Sequence, residues 1–225
     1  MSSVPDQSVT EPFAHAVVYI VDDNKELCSV MQRHFEKAGL RCRVCHDADE
    51  FLITYDPAQP GCLILDIRMP GMDGLDLQEK LRKAGDSMPV LVLTGHADVK
   101  NVLRAWTNEA FQFLQKPVSN HALLEHVMEA LEKDRRSREE QGEVADYGSR
   151  ISRLTKRETE VMDLVVSGRP NKVVGVELGL SQKTVEVHRS NVMKKMRARS
   201  FAELVQMVMV ARGGEGPALR PGQRE

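Results

Sequence analysis

The chain has 225 residues, of which 28% are charged, and its formal net charge is -2. That length can bury two modest hydrophobic cores, so two domains are expected. No apolar run approaches the roughly 20 residues that a membrane-spanning helix needs, and the N-terminus lacks the basic and apolar regions of a secretion signal. The composition therefore argues against a membrane or secreted protein and predicts a cytoplasmic one with no membrane partner.

The charge is unevenly distributed along the chain. Residues 150–213 carry 13 Lys and Arg against 6 Asp and Glu, whereas residues 1–149 carry 16 against 25. Because a basic surface attracts polyanions, we expect the second half to meet a polyanion.

Short apolar runs alternate with helix-patterned stretches from residue 16 to residue 135, after a segment of residues 1–15 that is expected to be disordered. The runs are VVYIV, RCRVC, CLIL, VLVLT and FQFL, and they begin at residues 17, 41, 62, 90 and 111. This alternation predicts an α/β doubly wound domain, in which helices cover both faces of a five-stranded parallel sheet.

The cysteines all fall in the first third of the chain, on predicted helix or strand positions. Cys42 and Cys45 are three residues apart on one predicted strand, so their side chains should point to opposite faces of the sheet. The spacings fit neither a disulfide framework nor a zinc site. Buried free thiols are expected, with a redox role as the alternative, at Cys28, Cys42, Cys45 and Cys62.

Polar side chains follow several of the predicted strands. Ligands of such sheets bind at the carboxyl ends of the strands. Carboxylates crowded there repel one another unless a cation relieves them, and oxygen-only ligands favour Mg2+. A carboxylate nucleophile, a metal, an amine and a hydroxyl fit phosphoryl transfer to an aspartate. The residues at this edge are Asp22, Asp23, Asp66, Thr94 and Lys116.

After the last strand pattern and its helix, the composition becomes charged and poor in apolar residues. Gly142 and Gly148 indicate a break in the helix, so a linker is predicted at residues 136–150. Residues 151–213 are patterned as a separate all-α domain of four helices, and residues 214–225 are expected to be disordered.

The first helix of this second domain has clear end signals, because Thr155 and Glu158 have capping-box spacing and Gly168 is a typical stop. Ser200 is the predicted cap of the last helix. The second and third helices are joined by a short turn, which is helix-turn-helix geometry.

Four motifs, IVDDN, LILDIRMPGMDG, LTGHADV and FQFLQKPV, occur in this order and resemble the receiver domain of two-component response regulators, a flavodoxin-like fold. The resemblance covers residues 16–135. It implies that Asp66 accepts a phosphoryl group from a histidine kinase. For Asp66, a structural aspartate at a strand end is the alternative reading of the residues alone.

The same resemblance implies further roles for the residues at the strand ends. The Mg2+ ligands would be Asp22, Asp23, Asp66 and the backbone carbonyl of Arg68. Thr94 and Lys116 would contact phosphoryl oxygens, with a cis bond between Lys116 and Pro117, and Phe113 matches the position of an aromatic switch residue.

This chain departs from the receiver pattern on the face formed by the fourth helix, the fifth strand and the fifth helix. Residues 106–110 read WTNEA, starting at Trp106, so Glu109 replaces a glycine that is common at that helix end. Val118 stands where phenylalanine usually follows Lys-Pro. These departures leave the surface used for dimerisation open.

Residues 151–213 closely resemble the DNA-binding domain of LuxR/FixJ/NarL-type regulators, nearest the FixJ branch. The stretch QKTVEVHRSNVMKKM would be the recognition helix, with Val185, Val192 and Met196 buried. The side chains expected to approach bases are Lys183, Glu186, Val187 and Arg189. Thr184 and His188 share the polar face, and Lys172 and Lys194 are expected at phosphates.

The last helix carries an apolar stripe that this family uses for dimerisation, which suits two-fold DNA sites. The stripe consists of Leu204, Met207, Val208 and Ala211. The partners implied by the resemblance are a cognate histidine kinase, double-stranded promoter DNA, a second copy of the chain, and RNA polymerase as a further candidate.

The expected function is therefore a transcriptional regulator that is activated by phosphorylation of Asp66, dimerises and binds promoter DNA. It would catalyse only its own phosphorylation and dephosphorylation. One alternative is a DNA-binding protein whose receiver acts as a phosphate-independent interaction module. The other is a haloacid-dehalogenase-type phosphotransferase, which requires a second acid two residues after the nucleophile, where this chain has Arg68.

Overall fold

The structure is a computed structural model that describes residues 11–95 and 99–213. The chain divides after Arg138 into two compact units. The strands are β1 (Val17–Val21), β2 (Arg41–Cys45), β3 (Gly61–Leu65), β4 (Val90–Thr94) and β5 (Gln112–Gln115). The helices of the first part are α1 (Lys25–Lys37), α2 (Ala48–Thr54), α3 (Gly74–Lys83), α4 (Val99–Thr107) and α5 (Asn120–Ser152). The helices that follow are α6 (Lys156–Val166), α7 (Asn171–Leu178), α8 (Gln182–Met196) and α9 (Phe201–Ala211).

The five strands form one parallel sheet in the order β2-β1-β3-β4-β5, which confirms the predicted doubly wound fold. Every residue of β1, β3 and β4 is buried, because helices cover both faces of a parallel sheet. One face packs on α1 and α5, and the other packs on α2, α3 and α4. The order reverses between β1 and β3, so the edge where these strands end is where a ligand is expected.

The four cysteines are all free thiols. Cys42 and Cys45 contact the core clusters of opposite faces, as predicted, although Cys42 is only half-buried. Burial raises the pKa of the Cys28 thiol to about 11 and that of Cys42 to about 12. Because the thiolate is the reactive form, these raised pKa values argue against a redox role for either residue.

The expectation of disorder for residues 1–15 is wrong at its C-terminal end. Glu11–Phe13 forms a short 3-10 helix, and Phe13 is 7% exposed and packs on the core beside α1 and α5. Burial of this apolar ring favours an ordered segment over a disordered one. The rest of that prediction, for residues 1–10, and the prediction for residues 214–225 lie outside the described residues, as do residues 96–98 of the LTGHADV motif.

The predicted break at Gly142 and Gly148 is also wrong, because both residues lie within α5. Glycine costs a helix roughly 0.5–1 kcal/mol relative to alanine but does not remove a backbone hydrogen bond. The pair Arg150–Asp146 supports the helix at four-residue spacing, and Tyr147 packs on the core formed by α6, α8 and α9. The domain limits at residues 135 and 151 stay predictions.

No helix of residues 11–95 and 99–213 is both long and apolar enough to cross a membrane.

The second unit has the predicted helices and caps. Thr155 and Glu158 form the capping box, and Ser200 caps α9. Gly175, inside α7, packs against the turn that leads to α8. A Cβ on Gly175 would lie 2.7 Å from the Leu180 carbonyl oxygen, so only glycine fits there without movement.

Arg82, on α3, ties two loops of the first unit together. Its guanidinium donates to the carbonyl oxygens of Asp86 and Met88, before β4, at 2.6 and 2.9 Å. It also donates to the carbonyls of Asn108 and Glu109, after α4, at 3.2 and 3.3 Å. Carbonyl oxygens in such loops need partners when water is excluded.

We expect Arg82→Met to lower the free energy of unfolding of the first unit by about 2–4 kcal/mol, because several carbonyls lose a charged donor. The measurement is the urea dependence of circular dichroism for the full chain. Lys83→Met is the matched control, since Lys83 is 74% exposed and makes a surface pair with Glu79, and it should change stability by less than about 1 kcal/mol. Equal effects of the two substitutions would contradict the prediction.

Candidate functional site

The ends of three strands bring two acids and a lysine together. Val21 pairs with Leu65, so the next residues, Asp22 and Asp66, end neighbouring strands side by side. Asp22 is 3% exposed and Asp66 is 7% exposed. Lys116, just after β5, donates from Nζ to Asp22 Oδ2 at 2.6 Å and to Asp66 Oδ1 at 2.9 Å. One ammonium group thus bridges two buried carboxylates.

The remaining carboxylate oxygens are held by backbone groups. Asp66 Oδ2 accepts from the Arg68 N–H at 2.9 Å, and Asp22 Oδ1 accepts from the Asn24 N–H at 2.9 Å. The Asp66 side chain therefore has a fixed orientation at the mouth of the site.

Burial raises the pKa of Asp66, although the hydrogen bond and charge of Lys116 act in the opposite direction. For Lys116, burial acts to lower the pKa, but the hydrogen bonds to Asp22 and Asp66 outweigh it, so the pKa is raised. Lys116 is therefore charged near neutral pH and neutralises part of the acidic charge.

Thr94 and Phe113 lie beside this cluster on β4 and β5. Thr94 ends β4 and is 1% exposed, and its carbonyl oxygen accepts from the Lys116 N–H at 2.8 Å. Phe113 is half-buried against the core of α2, α3 and α4. The bond between Lys116 and Pro117 is cis, as predicted. The phosphoryl contact of Thr94 and the switch role of Phe113 stay predictions.

The third acid, Asp23, is exposed and lines a cleft of about 520 Å³ beside Asp66. The other lining residues include Arg68 and Asp73. Within the described ranges, no group of three His, Cys, Asp or Glu side chains converges closely enough to hold a metal ion. The available donors are nevertheless all oxygens, two of them on buried carboxylates, and that donor set fits Mg2+.

In the second unit, one face of α8 is exposed as the sequence predicted. Val185, Val192 and Met196 are buried at 0–1% exposure. The predicted base-reading side chains on the exposed face are Lys183, Glu186 and Val187, and the predicted phosphate contacts Lys172 and Lys194 are also exposed. Thr184 and His188 are half-buried. The sequence therefore predicted the solvent-facing side of this helix well.

Arg189 is not brought to that face. It lies four residues after Val185, which is about 40° from it around the helix axis, on the side that packs in the domain. Its Nη1 donates to Asn171 Oδ1 at 3.2 Å, and its guanidinium lies 4.9 Å from the centre of the Phe201 ring.

The predicted dimerisation stripe on α9 is wrong for three of its four residues. Leu204, Met207 and Val208 are 1%, 5% and 0% exposed and fill the core of their own unit with α6 and α8. Ala211 is half-buried. A side chain already buried in one domain cannot contact a second copy without unfolding that core.

The two units match two protein families. The family model of the response regulator receiver domain matches residues 18–128, and that of the luxR family of bacterial regulatory proteins matches residues 152–208. Nodulation protein W of Bradyrhizobium diazoefficiens is 40% identical over 88% of this chain and 87% of its own length. The transcriptional regulatory protein FixJ of Azorhizobium caulinodans is 36% identical, over 89% of this chain and 94% of its own.

Solved structures agree with these relatives. The structure of response regulator StyR has 36% identity and a TM-score of 0.79, and the match covers 86% of this chain and 98% of that one. Full-length FixJ from B. japonicum has 31% identity and a TM-score of 0.53, with coverage of 88% and 97%. This chain belongs to the two-component response regulators with a LuxR-type DNA-binding domain. It is a phosphorylation-activated, DNA-binding regulator of transcription, which implies a histidine kinase and DNA as partners.

Gly74 is a residue of this response regulator's site that sequence reasoning missed. A Cβ at Gly74 would lie 2.0 Å from the Asp66 carbonyl oxygen, and its N–H donates to the Ile67 carbonyl. The start of α3 therefore packs directly on the backbone that carries Asp66. The signal in the sequence was a glycine after MPGMD, whose position next to Asp66 depends on the path of the loop.

We expect Gly74→Ala to slow labelling of Asp66 by acetyl phosphate and to destabilise the receiver by about 1–3 kcal/mol, because an added methyl group has no room. Labelling is followed by intact mass. Gly142→Ala is the control, since nothing lies within 4 Å of its Cβ, and it should leave labelling unchanged. Normal labelling of Gly74→Ala would disprove the close approach.

We expect Lys116→Met to destabilise the receiver by on the order of 3 kcal/mol at pH 7 without metal, since two buried carboxylates lose their cation. Asp66 already has a raised pKa, so its contribution favours folding at low pH and is lost as pH rises. Removing Lys116 raises this pKa further, so the stability gap to the wild type should narrow toward pH 4.

The measurement is the free energy of unfolding by urea between pH 4 and pH 8, in the presence of a chelator. Lys37→Met, an exposed lysine at the end of α1, serves as the control and should follow the wild-type pH profile. A stability gap for Lys116→Met that is the same at every pH would mean that Lys116 does not hold the two carboxylates together.

Proposed function

We propose that Asp66 is the residue that accepts the phosphoryl group. The observation that carries this proposal is the fixed, buried carboxylate of Asp66, with Lys116 Nζ at 2.9 Å on one oxygen and the Arg68 N–H at 2.9 Å on the other. Backbone and lysine contacts of this kind hold a nucleophile in one orientation and can also neutralise charge on a transferring group. A merely structural aspartate at a strand end has no need of a half-buried lysine shared with a second acid.

We propose that Asp22, Asp23, Asp66 and the Arg68 carbonyl hold Mg2+. The support is the oxygen-only donor set at the carboxyl ends of β1 and β3. A bound Mg2+ supplies charge neutralisation on the transferring phosphoryl group. Asp22 is oriented by the Asn24 N–H and lies beside the nucleophile. Lys116, which donates to Asp22, contacts an oxygen of the phosphoryl group. The protein catalyses only its own phosphorylation and dephosphorylation.

Phosphorylation then shifts the receiver between two conformations. A phosphoryl group adds negative charge and acceptor oxygens beside Thr94, which contacts one of them, and Phe113 follows into the space that is left. The exposed face of α4 is the surface that a second copy of the chain contacts after phosphorylation. Val99, Leu103 and Trp106 lie at helical spacing with 77%, 62% and 51% exposure, and this apolar stripe supports dimerisation on activation.

The second unit binds promoter DNA in the cytoplasm, with RNA polymerase as a further partner. Lys183, Glu186 and Val187 approach base edges in the major groove, because they lie near the N-terminal end of α8 and are exposed. Lys172 and Lys194 contact phosphates, as cations at the rim of such an interface do.

The test is incubation of the full chain with acetyl phosphate and Mg2+. The wild type should gain one phosphoryl group, dimerise and bind promoter DNA more tightly, whereas Asp66→Asn should do none of these, because an amide is not a nucleophile at phosphorus. Asp49→Asn, an exposed acid on α2, is the matched control and should behave as the wild type. A phosphoryl group found on Asp66→Asn would overturn the assignment.

The outcomes also separate the alternatives. A phosphate-independent interaction module would bind DNA equally well with and without acetyl phosphate. A phosphotransferase would turn over small phosphate esters continuously and would leave no labelled protein. The match to both regulator families favours the phosphorylation-activated regulator over these two alternatives.

A further inference from the structure

Three helices of the DNA-binding unit meet at the side chain of Arg189. The residue comes from α8, and its Nη1 donates to Asn171 Oδ1 at 3.2 Å at the start of α7. On its other side, the guanidinium lies over the Phe201 ring at the start of α9, 4.9 Å from the ring centre. The guanidinium is thus fixed in plane by the ring and in rotation by the amide.

A guanidinium carries five N–H donors, and the bond to Asn171 uses one of them. Arg189 is half-buried, so the group is pre-organised while part of it still reaches the surface. An arginine held in this way loses little side-chain entropy when it binds an anion, because its conformation is already selected.

The position of this guanidinium favours contact with the DNA backbone over contact with the bases. Arg189 points about 40° from the buried Val185, away from the exposed side that carries Val187. Its partner Asn171 begins α7, the first helix of the helix-turn-helix, and the next residue, Lys172, is exposed. In this motif the first helix crosses the phosphate backbone while the second reads bases.

We propose that Arg189 contacts a DNA phosphate instead of a base, and that Asn171 and Phe201 are positioning residues that hold it there. The inference rests on the proposed DNA binding of this unit. Phe201 acquires a function that its exposure of 38% does not suggest by itself, since an aromatic ring at the start of α9 carries no hydrogen-bonding group for DNA.

The test uses the full chain and a 30-base-pair duplex of arbitrary sequence, since phosphate contacts do not depend on sequence. Affinity is measured between about 50 and 200 mM salt. Arg189→Gln should weaken binding on the order of tenfold at the low salt concentration and about threefold at the high one, and it should lower the slope of log K against log salt by about 0.9. A purely structural role would leave that slope unchanged.

The positioning role is tested by a double-mutant cycle. Phe201→Leu keeps apolar volume but removes the aromatic face, and it should weaken binding when Arg189 is present and have no further effect on Arg189→Gln. Asn171→Ala is the second variant of the same kind. Circular dichroism of each variant controls for folding, and Arg157→Gln, an exposed arginine on α6 paired with Glu160, should retain the wild-type slope.

Each outcome bears on a different statement. Failure of the wild type to bind any duplex would refute the proposed function itself. Wild-type binding with an unchanged slope for Arg189→Gln would refute the phosphate contact alone. A loss for Arg189→Gln that disappears when one base pair of the duplex is changed would show that the residue reads that base pair. Independent effects of Arg189 and Phe201 would remove the positioning role.

Discussion

The receiver depends on one electrostatic arrangement, in which the ammonium of Lys116 lies between the carboxylates of Asp22 and Asp66. Two acids buried at neighbouring strand ends would repel each other in a site with little water, and the attraction of a shared cation offsets part of that cost. The arrangement is a local weakness in the fold. It persists because the sheet register places the strand ends together and the surrounding core is large enough to compensate.

The sequence predicted the parts of the structure that follow from local periodicity. The acids that come directly after apolar strands could be assigned to one edge of the sheet, because parallel strands end on the same side. The lysine bridge could not be derived in the same way, since Lys116 and Asp22 are far apart in sequence and their distance depends on side-chain conformation. The same holds for Gly74, whose close approach to the Asp66 carbonyl is set by the path of a loop and not by any pattern.

The wrong predictions share one physical cause, which is that tertiary contacts outweigh local preference. Glycine at position 142 costs the helix less free energy than the packing of the two ends of α5 supplies. The helix therefore continues through it. On α9, an apolar stripe shows that Leu204 and Val208 will be covered, but it does not show by what. The base contact of Arg189 stays a prediction that rests on its place on the polar face of α8. Its angle on the helix and its two partners place it toward the side that packs in its own domain, which supports the proposed phosphate contact instead.

The crowding of charge that destabilises the receiver also supports the proposal that phosphorylation of Asp66 drives a conformational change. A phosphoryl group brings close to two additional negative charges at neutral pH. On Asp66, the proposed acceptor, it would arrive where two carboxylates already share Lys116. The ammonium of Lys116 has three donors, two of them used by Asp22 and Asp66. The third donor can serve one new oxygen, and the others require Mg2+ or polar groups from neighbouring elements such as β4. A ligand shifts a conformational equilibrium only through contacts that differ between the two states. Because the unphosphorylated site has too few donors for the new oxygens, the phosphoryl group would favour the conformation that supplies additional donors.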